Sequence, residues 1–186
     1  MTEKLKFLGL CGSLRKGSYN AMALRALNEV MPAGAEMEIY DIDGFPSYNE
    51  DVHNAGEPAK VTEFKAKIRA ADAIIFSSPE YNYSVPGVLK NAIDWASRPY
   101  GDSAWEGKPA AIMGAAGGAI GTARMQYHLR QIMVFLDMHP LNRPEVMINN
   151  CTGKFDEHGH LTDESTREFL GKMLTALESW TRLLKG

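Results

Sequence analysis

The sequence is short of the features that mark several protein classes. It has 2 cysteines, Cys11 and Cys151, which are too few for a disulfide framework and have no metal-ligand spacing. We therefore expect reduced thiols and no metal site. No apolar run approaches the roughly 20 residues that cross a bilayer, and residues 1–6 lack the apolar core of a signal peptide. These absences predict a cytoplasmic protein with no membrane partner.

The sequence also lacks an excess of charge of one sign. Lys and Arg number 20 and Asp and Glu number 23, which gives a formal net charge of -3. Nucleic-acid-binding proteins usually carry a basic excess, so this balance argues against a nucleic-acid partner. The chain has no internal repeat, no low-complexity stretch and no Pro/Gly-rich linker. We expect residues 1–186 to form a single domain.

Short apolar runs alternate with segments of helical periodicity along the chain. Strands are predicted over residues 6–11, 36–42, 73–77, 109–113 and 145–148; the first and third are predicted to be buried, and residues 36–42 alternate. Helices are predicted from Asn20 to Met31, around residues 61–68, from Pro86 to Ala96, over residues 122–136, and after an N-cap at Asp163. Residues 44–58 are polar and turn-rich.

This alternation is typical of an α/β protein with a doubly wound parallel sheet and helices on both faces. Rossmann-like and flavodoxin-like strand orders are the common choices, and five strands favour the flavodoxin-like order 2-1-3-4-5. In both orders, ligands bind beyond the carboxyl ends of the strands.

The loop between the first strand and the first helix, residues 12–20, has the composition of an anion site. Glycines allow backbone N–H groups to approach a ligand, and the helix N-terminus adds free N–H donors. Ser13, Ser18 and Asn20 offer polar side chains, and Arg15 offers a guanidinium suited to phosphate. We predict a phosphate site; the alternative is a plain turn capped by Ser18 or Asn20.

Three known kinds of phosphate loop do not match these residues. A Walker A loop needs lysine after its second glycine, but Ser18 follows Gly17. The dinucleotide pattern G-x-G-x-x-G is absent. A thiol phosphatase would resemble Cys-x5-Arg, yet the residue six places after Cys11 is Gly17. The loop therefore predicts a different phosphate ligand.

A second loop, residues 77–87, follows the third strand. The flavodoxin-like order places strands one and three side by side, so both loops meet at one crevice. The segment is polar and aromatic and contains Pro79 and Pro86. Such a loop can bind a flat heterocycle at its edge and on its face. Phosphate at one loop and a planar ring at the other describe a mononucleotide such as FMN.

At these motifs the sequence resembles the NAD(P)H-dependent FMN reductase family, and within it the bacterial quinone and chromate reductases. The matching stretches are GSLRKGSYN at residues 12–20, SPEYNYSVPGVLKNAIDW at residues 78–95 and ARMQYHLRQ at residues 123–131. The resemblance covers nearly the whole chain. The first two motifs together are specific, whereas either alone would be weaker.

The resemblance implies a site made of three loops. The residues implied at the FMN phosphate are Ser13, Arg15, Ser18, Tyr19 and Asn20. Those implied along the ribityl chain and the ring are Pro79, Glu80, Tyr81, Asn82, Tyr83 and Ser84. The backbone of Gly114, Ala115, Ala116 and Gly117 would close the third side. Relatives often carry hydroxyl side chains in this third loop, so only backbone contacts are available here.

The resemblance also implies the activity. NADH or NADPH would pass a hydride to bound FMN and leave before the acceptor binds, so no general acid or base is nominated. The acceptor would be a small molecule: a quinone, chromate, an azo compound or free flavin. The alternatives are an FMN-binding electron carrier and a flavin-binding regulatory protein with little turnover.

The helix over residues 122–136 is apolar on nearly every side. It carries Met125, Tyr127, Leu129 and, near its end, the run from Ile132 to Leu136. This pattern indicates burial on more than one side, either within one chain or at a subunit interface. The family resemblance favours a homodimer or homotetramer, with polar contacts from Arg124, Tyr127 and Glu145.

Overall fold

The computed structural model describes residues 3–186 and shows strands and helices in alternation. The strands are β1 Leu5–Cys11, β2 Ala35–Tyr40, β3 Ala73–Ser77, β4 Pro109–Ala115, β5 His139–Pro140 and β6 Val146–Ile148. The helices are α1 Tyr19–Ala26, α2 Glu50–Ala55, α3 Ala59–Ala70, α4 Gly87–Ala96, α5 Ala123–Phe135 and α6 Glu164–Lys185. Two short 3-10 segments occur at Leu27–Val30 and Cys151–Gly153.

The strands form one parallel sheet in the order β2-β1-β3-β4-β5, which confirms the flavodoxin-like prediction. Every residue of β3 and β4 is buried, as expected for central strands covered on both faces. Cys11 is aligned with Ser77, and Ser77 with Met113. The carboxyl ends of the three central strands therefore lie at one edge of the sheet.

The fifth position in the sheet differs from the prediction of a single strand over residues 145–148. Two short segments occupy it: β5 pairs with the start of β4, and β6 pairs with the end of β4. The pairing of β5 ends after Leu141 N, which donates to Ala110 O at 2.7 Å, and Pro144, which has no N–H to donate, precedes β6. A sheet with five strand positions thus contains six strand segments.

Two other predicted boundaries also differ from the structure. The first helix ends at Ala26, becomes 3-10 over Leu27–Val30, and does not include Met31. Met31 is extended, as the residue before a proline prefers. Residues 44–58, predicted as turns, contain α2, which begins after Asn49 because that side chain accepts a hydrogen bond from Asp51 N.

Apolar side chains form one cluster on each face of the sheet, which confirms helices on both faces. Phe64 of α3, Leu89 of α4 and Leu129 of α5 belong to one cluster. Leu24 of α1 and Leu174 of α6 belong to the other. Within residues 3–186, no helix combines the length and apolar character that crossing a membrane requires.

Candidate functional site

Three loops meet at the carboxyl edge of the sheet, after β1, β3 and β4. Gly12 N donates to Ser77 O at 2.9 Å, and Ser78 N donates to Met113 O at 3.1 Å. Two glycines permit this approach. A Cβ at Gly12 would overlap the Ser78 side chain, and a Cβ at Gly114 would overlap the Ser78 backbone oxygen and Thr122 Oγ1. The loops are thus in direct contact where the strands end.

The first loop, residues 12–20, presents backbone donors that have no acceptor. Within residues 3–186, the N–H groups of Leu14, Lys16 and Gly17 make no hydrogen bond. Arg15 and Lys16 are exposed on the same loop. Backbone N–H groups and two cations ahead of a helix N-terminus form a donor set that fits a phosphate group. A plain turn capped by Ser18 would leave the same exposed donors to water, so the phosphate site stays a prediction.

The remaining polar side chains of the first loop have partners inside the protein. Ser18 is the N-cap of α1, and its Oγ accepts a hydrogen bond from Ala21 N at 3.3 Å. Ser13 Oγ accepts one from Arg15 N at 3.4 Å. The ring of Tyr19 packs against Phe155, with 5.7 Å between centroids. These contacts stabilise the shape of the loop. Direct contact of Ser13, Ser18 and Tyr19 with a ligand stays a prediction.

Asn20 connects the first loop to the third. Its Oδ1 accepts a hydrogen bond from Ala115 N at 2.8 Å, and its Nδ2 donates to Ala115 O at 2.9 Å. Its side chain is buried, and its carbonyl accepts a hydrogen bond from Ser77 Oγ at 2.9 Å. Only one amide hydrogen of Asn20 is left for a ligand. The predicted phosphate contact thus competes with a role in holding the loops together.

The third loop, residues 114–117, has few free backbone groups. Ala115 is engaged by Asn20, while Ala116 N donates to Ile148 O and Ala116 O accepts from Cys151 N. Gly117 is exposed, and within residues 3–186 its N–H has no acceptor. Of the four predicted residues, Gly117 is therefore the one with a donor available to a ligand.

The second loop contains a tight turn at its tip. Tyr81 and Ser84 exchange two backbone hydrogen bonds, of 3.2 and 2.9 Å. The central residues Asn82 and Tyr83 are both left-handed, with φ of 51° and 65°. Tyr81 and Tyr83 are 51% and 69% exposed, so their rings are accessible to a ligand or solvent. The predicted aromatic surface is present.

Two other predicted residues of the second loop bind helix α5. The Glu80 carboxylate, 6% exposed, contacts Arg124 at 2.5 Å and accepts a hydrogen bond from Met125 N at 3.1 Å. Ser84 Oγ lies 2.8 Å from His128 Nδ1. Glu80 thereby caps α5, whose own N-cap Thr122 makes no side-chain cap. Glu80 and Ser84 fix the loop in place.

Arg124 and His128 lie beside the second loop, a position that the sequence did not predict. The sequence predicts Arg124 only within the motif at residues 123–131 and at a subunit interface. The two residues are four apart in α5 and therefore lie on one face of the helix. Their spacing predicts the shared face, and only the fold brings that face to the second loop.

Cys11 ends β1 directly before the first loop, where a phosphatase nucleophile would stand. Burial raises the pKa of the Cys11 thiol, and its Sγ lies 3.5 Å from Ser13 O. A raised pKa keeps the thiol protonated at neutral pH, whereas the thiolate is the nucleophile. This agrees with the sequence argument against a thiol phosphatase.

The opposite, amino edge of the sheet carries a cavity of about 420 Å³. Among its charged lining residues, Lys185 pairs with Asp72 at 2.5 Å and Arg182 pairs with Glu178 at 2.9 Å. Parallel α/β sheets bind ligands at the carboxyl edge, so we place the site there.

The strand order and the three loops at the carboxyl edge define a flavodoxin-like protein. The comparisons with known proteins agree. Residues 5–153 match the model of the NADPH-dependent FMN reductase family. The chain is 55% identical, over 186 residues and the whole of both chains, to the NAD(P)H-dependent FMN reductase of Pseudomonas aeruginosa. This chain belongs to the NADPH-dependent FMN reductase family.

Two further relatives agree with this assignment. The chain is 45% identical, over 188 residues and 100% of both chains, to the quinone reductase of Escherichia coli K12. Its structure matches FerB, a flavoenzyme NAD(P)H:(acceptor) oxidoreductase of Paracoccus denitrificans, with a TM-score of 0.88 and 36% identity. That match covers 96% of this chain and 97% of FerB.

Proposed function

We propose that this chain is an NAD(P)H-dependent quinone reductase that holds FMN between its three loops. The observation that carries the proposal is the set of open N–H donors in the first loop, beside Arg15 and Lys16 and in contact with an aromatic second loop. The names of the relatives from Pseudomonas aeruginosa and Escherichia coli support both the FMN and the quinone.

Each loop has its own part in this proposal. The N–H groups of Leu14, Lys16 and Gly17, with the Arg15 guanidinium, hold the phosphate. Ser13, Ser18, Tyr19 and Asn20 keep that loop in shape. The rest of the cofactor lies along the second and third loops, at Pro79, Tyr81, Asn82, Tyr83 and Gly117, with Glu80, Ser84, Gly114, Ala115 and Ala116 behind them.

FMN supplies, when bound, the transfer of two electrons from a nicotinamide donor to a quinone. The chain's own residues bind and orient the reactants. The exposed Tyr81 and Tyr83 offer flat surfaces to planar rings. The Asn82 side chain, exposed at the turn, offers an amide donor. Chromate, azo compounds and free flavin as acceptors stay predictions of the sequence, as does the choice between NADH and NADPH.

An anaerobic absorbance titration tests the cofactor and the donor. Purified protein, reconstituted with FMN and desalted, should retain a flavin band that bleaches when NADPH or NADH is added. Adding 1,4-benzoquinone should then restore the band. Loss of all flavin on desalting would contradict the FMN site. A flavin band that neither nucleotide bleaches would instead indicate an electron carrier or a regulatory protein.

We also propose that two copies of the chain associate through α5. Its face carries Tyr127, Val134 and Phe135, which are 58%, 80% and 72% exposed, so burial within one chain does not explain them. Apolar residues at this spacing form one stripe on a helix, as at helix–helix interfaces. Sedimentation should give a dimer or tetramer for the natural chain and a monomer for Phe135→Asp. An unchanged mass for that variant would contradict the interface.

A single domain over the whole chain and a cytoplasmic location complete the proposal. Helix α6 lies beyond the range that matches the family model, yet its Leu170, Met173, Leu174 and Leu177 belong to the same apolar cluster as Phe7 of β1. One cooperative urea transition, seen equally by circular dichroism and tryptophan fluorescence, is expected. The location stays a prediction of the sequence.

A further inference from the structure

The turn at the tip of the second loop uses residues that its backbone disfavours. Two-residue turns with φ above zero at both central positions strongly favour Asn-Gly. Asn82 suits the first of these positions, but Tyr83, with φ of 65°, occupies the one where glycine is preferred. A left-handed non-glycine residue is strained and persists only where its surroundings enforce it. Something beside Tyr83 must therefore hold the turn.

The group beside Tyr83 is the guanidinium of Arg124. Its central carbon lies 3.7 Å from the centroid of the Tyr83 ring, a close cation–π contact. The same guanidinium pairs with Glu80 at 2.5 Å. Arg124 thus contacts Glu80, which directly precedes the turn, and Tyr83, whose backbone is left-handed.

Helix α5 also reaches the far side of the turn. Ser84 Oγ lies 2.8 Å from His128 Nδ1, and Met125 N donates to Glu80. The turn is therefore fastened on both sides to the first two turns of one helix. Arg124 is the group among these that touches the ring of a left-handed residue.

We propose that Arg124 is a positioning residue: by covering the Tyr83 ring and pairing with Glu80, it holds the turn over Asn82 and Tyr83 in its ligand-binding conformation. This inference rests on the proposed function, because the ligand concerned is FMN at the second loop. The role needs arginine, because a planar guanidinium can stack on a ring and pair with a carboxylate together, whereas an ammonium is a compact point charge.

The first test measures the turn without any flavin. Hydrogen exchange of the Ser84 N–H, which donates to Tyr81 O, reports opening of the turn. In the flavin-free full chain, Arg124→Gln should speed this exchange about tenfold, roughly what losing a cation–π contact and an ion pair allows. Arg124→Lys should keep the pairing with Glu80 but still speed the exchange several-fold. Arg69→Gln, which removes an exposed ion pair with Asp102, is the matched control and should exchange as the natural chain does.

A double-mutant cycle with Tyr83 shows whether the ring is the target. Tyr83→Leu keeps the left-handed strain but removes the ring, so adding Arg124→Gln to it should speed exchange by a smaller factor than Arg124→Gln alone. Tyr83→Gly completes an Asn-Gly turn and should exchange slowly even when combined with Arg124→Gln. An equal effect of Arg124→Gln in the natural and Tyr83→Leu backgrounds would overturn the inference.

The second test measures FMN affinity by flavin fluorescence on the same variants. Arg124→Gln should raise the Kd about 5- to 20-fold, while Arg69→Gln leaves it unchanged. Faster exchange with an unchanged Kd would overturn the positioning role, and unchanged exchange would overturn it whatever the Kd. If the natural chain bound no FMN, the proposed function would fail. Exchange that is slow in the natural chain and fast in Arg124→Gln would still show that Arg124 holds the turn.

Discussion

The first and second loops have similar polar compositions but use their polar groups in different ways. In the first loop, the backbone N–H groups of Leu14, Lys16 and Gly17 have no hydrogen-bond acceptor within residues 3–186. In the second loop, Glu80 and Ser84 are both engaged by α5. The first loop therefore has donors ready for a ligand, while much of the second loop's polarity maintains its own shape.

This difference separates two meanings of a polar residue in a binding loop. A side chain that already has partners positions the backbone, and a group without a partner is available to bind. Asn20 and Arg15 illustrate the two cases within one loop, because Asn20 joins Ala115 whereas Arg15 is exposed. Substitutions at such pairs should therefore affect stability in one case and ligand affinity in the other.

The largest effect is expected at Gly114, where the contact between the loops leaves no room for a side chain. In Gly114→Ala the new methyl would overlap the Ser78 backbone oxygen and Thr122 Oγ1. Because a backbone atom cannot rotate away, we expect a loss of about 3 kcal/mol in the free energy of unfolding. Urea denaturation measures it. Gly118→Ala is the matched control, since a Cβ there meets nothing within 4 Å; equal losses in both variants would contradict the packing argument.

The next effect is expected at Asn20. Asn20→Ala leaves the N–H and C=O of Ala115 without their partners in a buried place. Each unsatisfied buried group costs about 1–3 kcal/mol, so we expect a loss of about 2–3 kcal/mol in the free energy of unfolding. The same urea measurement applies, with Asn28→Ala, on the exposed 3-10 segment, as the control. If Asn20→Ala kept the stability of the natural chain but bound FMN more weakly, Asn20 would contact FMN directly. The contrast with Arg15 would then be lost.

Arg15→Ala should have the opposite profile. It removes one charge-assisted contact to the phosphate, and such bonds contribute roughly 1.5–3 kcal/mol, or about 10- to 150-fold in the Kd for FMN. Arg15 is exposed, so the urea midpoint should stay unchanged. Fluorescence titration of flavin-free protein measures the Kd, and Arg69→Ala controls for the loss of an exposed arginine. An unchanged Kd for Arg15→Ala would remove the first loop from the phosphate site.

Most of the strands could be predicted from the sequence because the pattern that indicates each strand lies in that strand's own residues. Continuous apolar runs such as residues 73–77 are typical of strands covered on both faces, and the structure confirms the strand. The short β5 segment could not be predicted, because its two residues acquire strand geometry only by pairing with Pro109 and Ala110. A pairing of this kind depends on the partner strand and leaves no periodic pattern.

The same reasoning divides the site. Glycines, a helix start and an arginine in sequence predict an anion loop, because those properties belong to the loop's own residues. Whether a group is free depends on residues far along the chain: Asn20 is engaged by Ala115, and Glu80 by Arg124. Residue type thus predicts what a loop can donate, and only the fold determines which donors are left.

The smallest effect is expected at Asp163, the N-cap of α6. Hydrogen bonds from Thr166 and Ser165, together with the Lys154 ammonium, hold the pKa of the Asp163 carboxyl well below its usual range. A lowered pKa in the folded state stabilises the protein fully above the unfolded value of about 3.9, and this stabilisation is lost as the pH falls below it.

Asp163→Asn keeps a capping side chain but loses the charge at the start of α6. We expect a loss of about 0.5–1 kcal/mol in the free energy of unfolding at pH 7, a modest value because the group is partly exposed to solvent. The gap between the variant and the natural chain should narrow as the pH falls below about 3.9, because Asp163 of the unfolded chain takes up a proton there while the folded carboxylate stays ionised. Glu168→Gln, on the exposed face of the same helix, should show no gap at either pH. A gap that stays constant with pH would mean that the cap acts through geometry and not through charge.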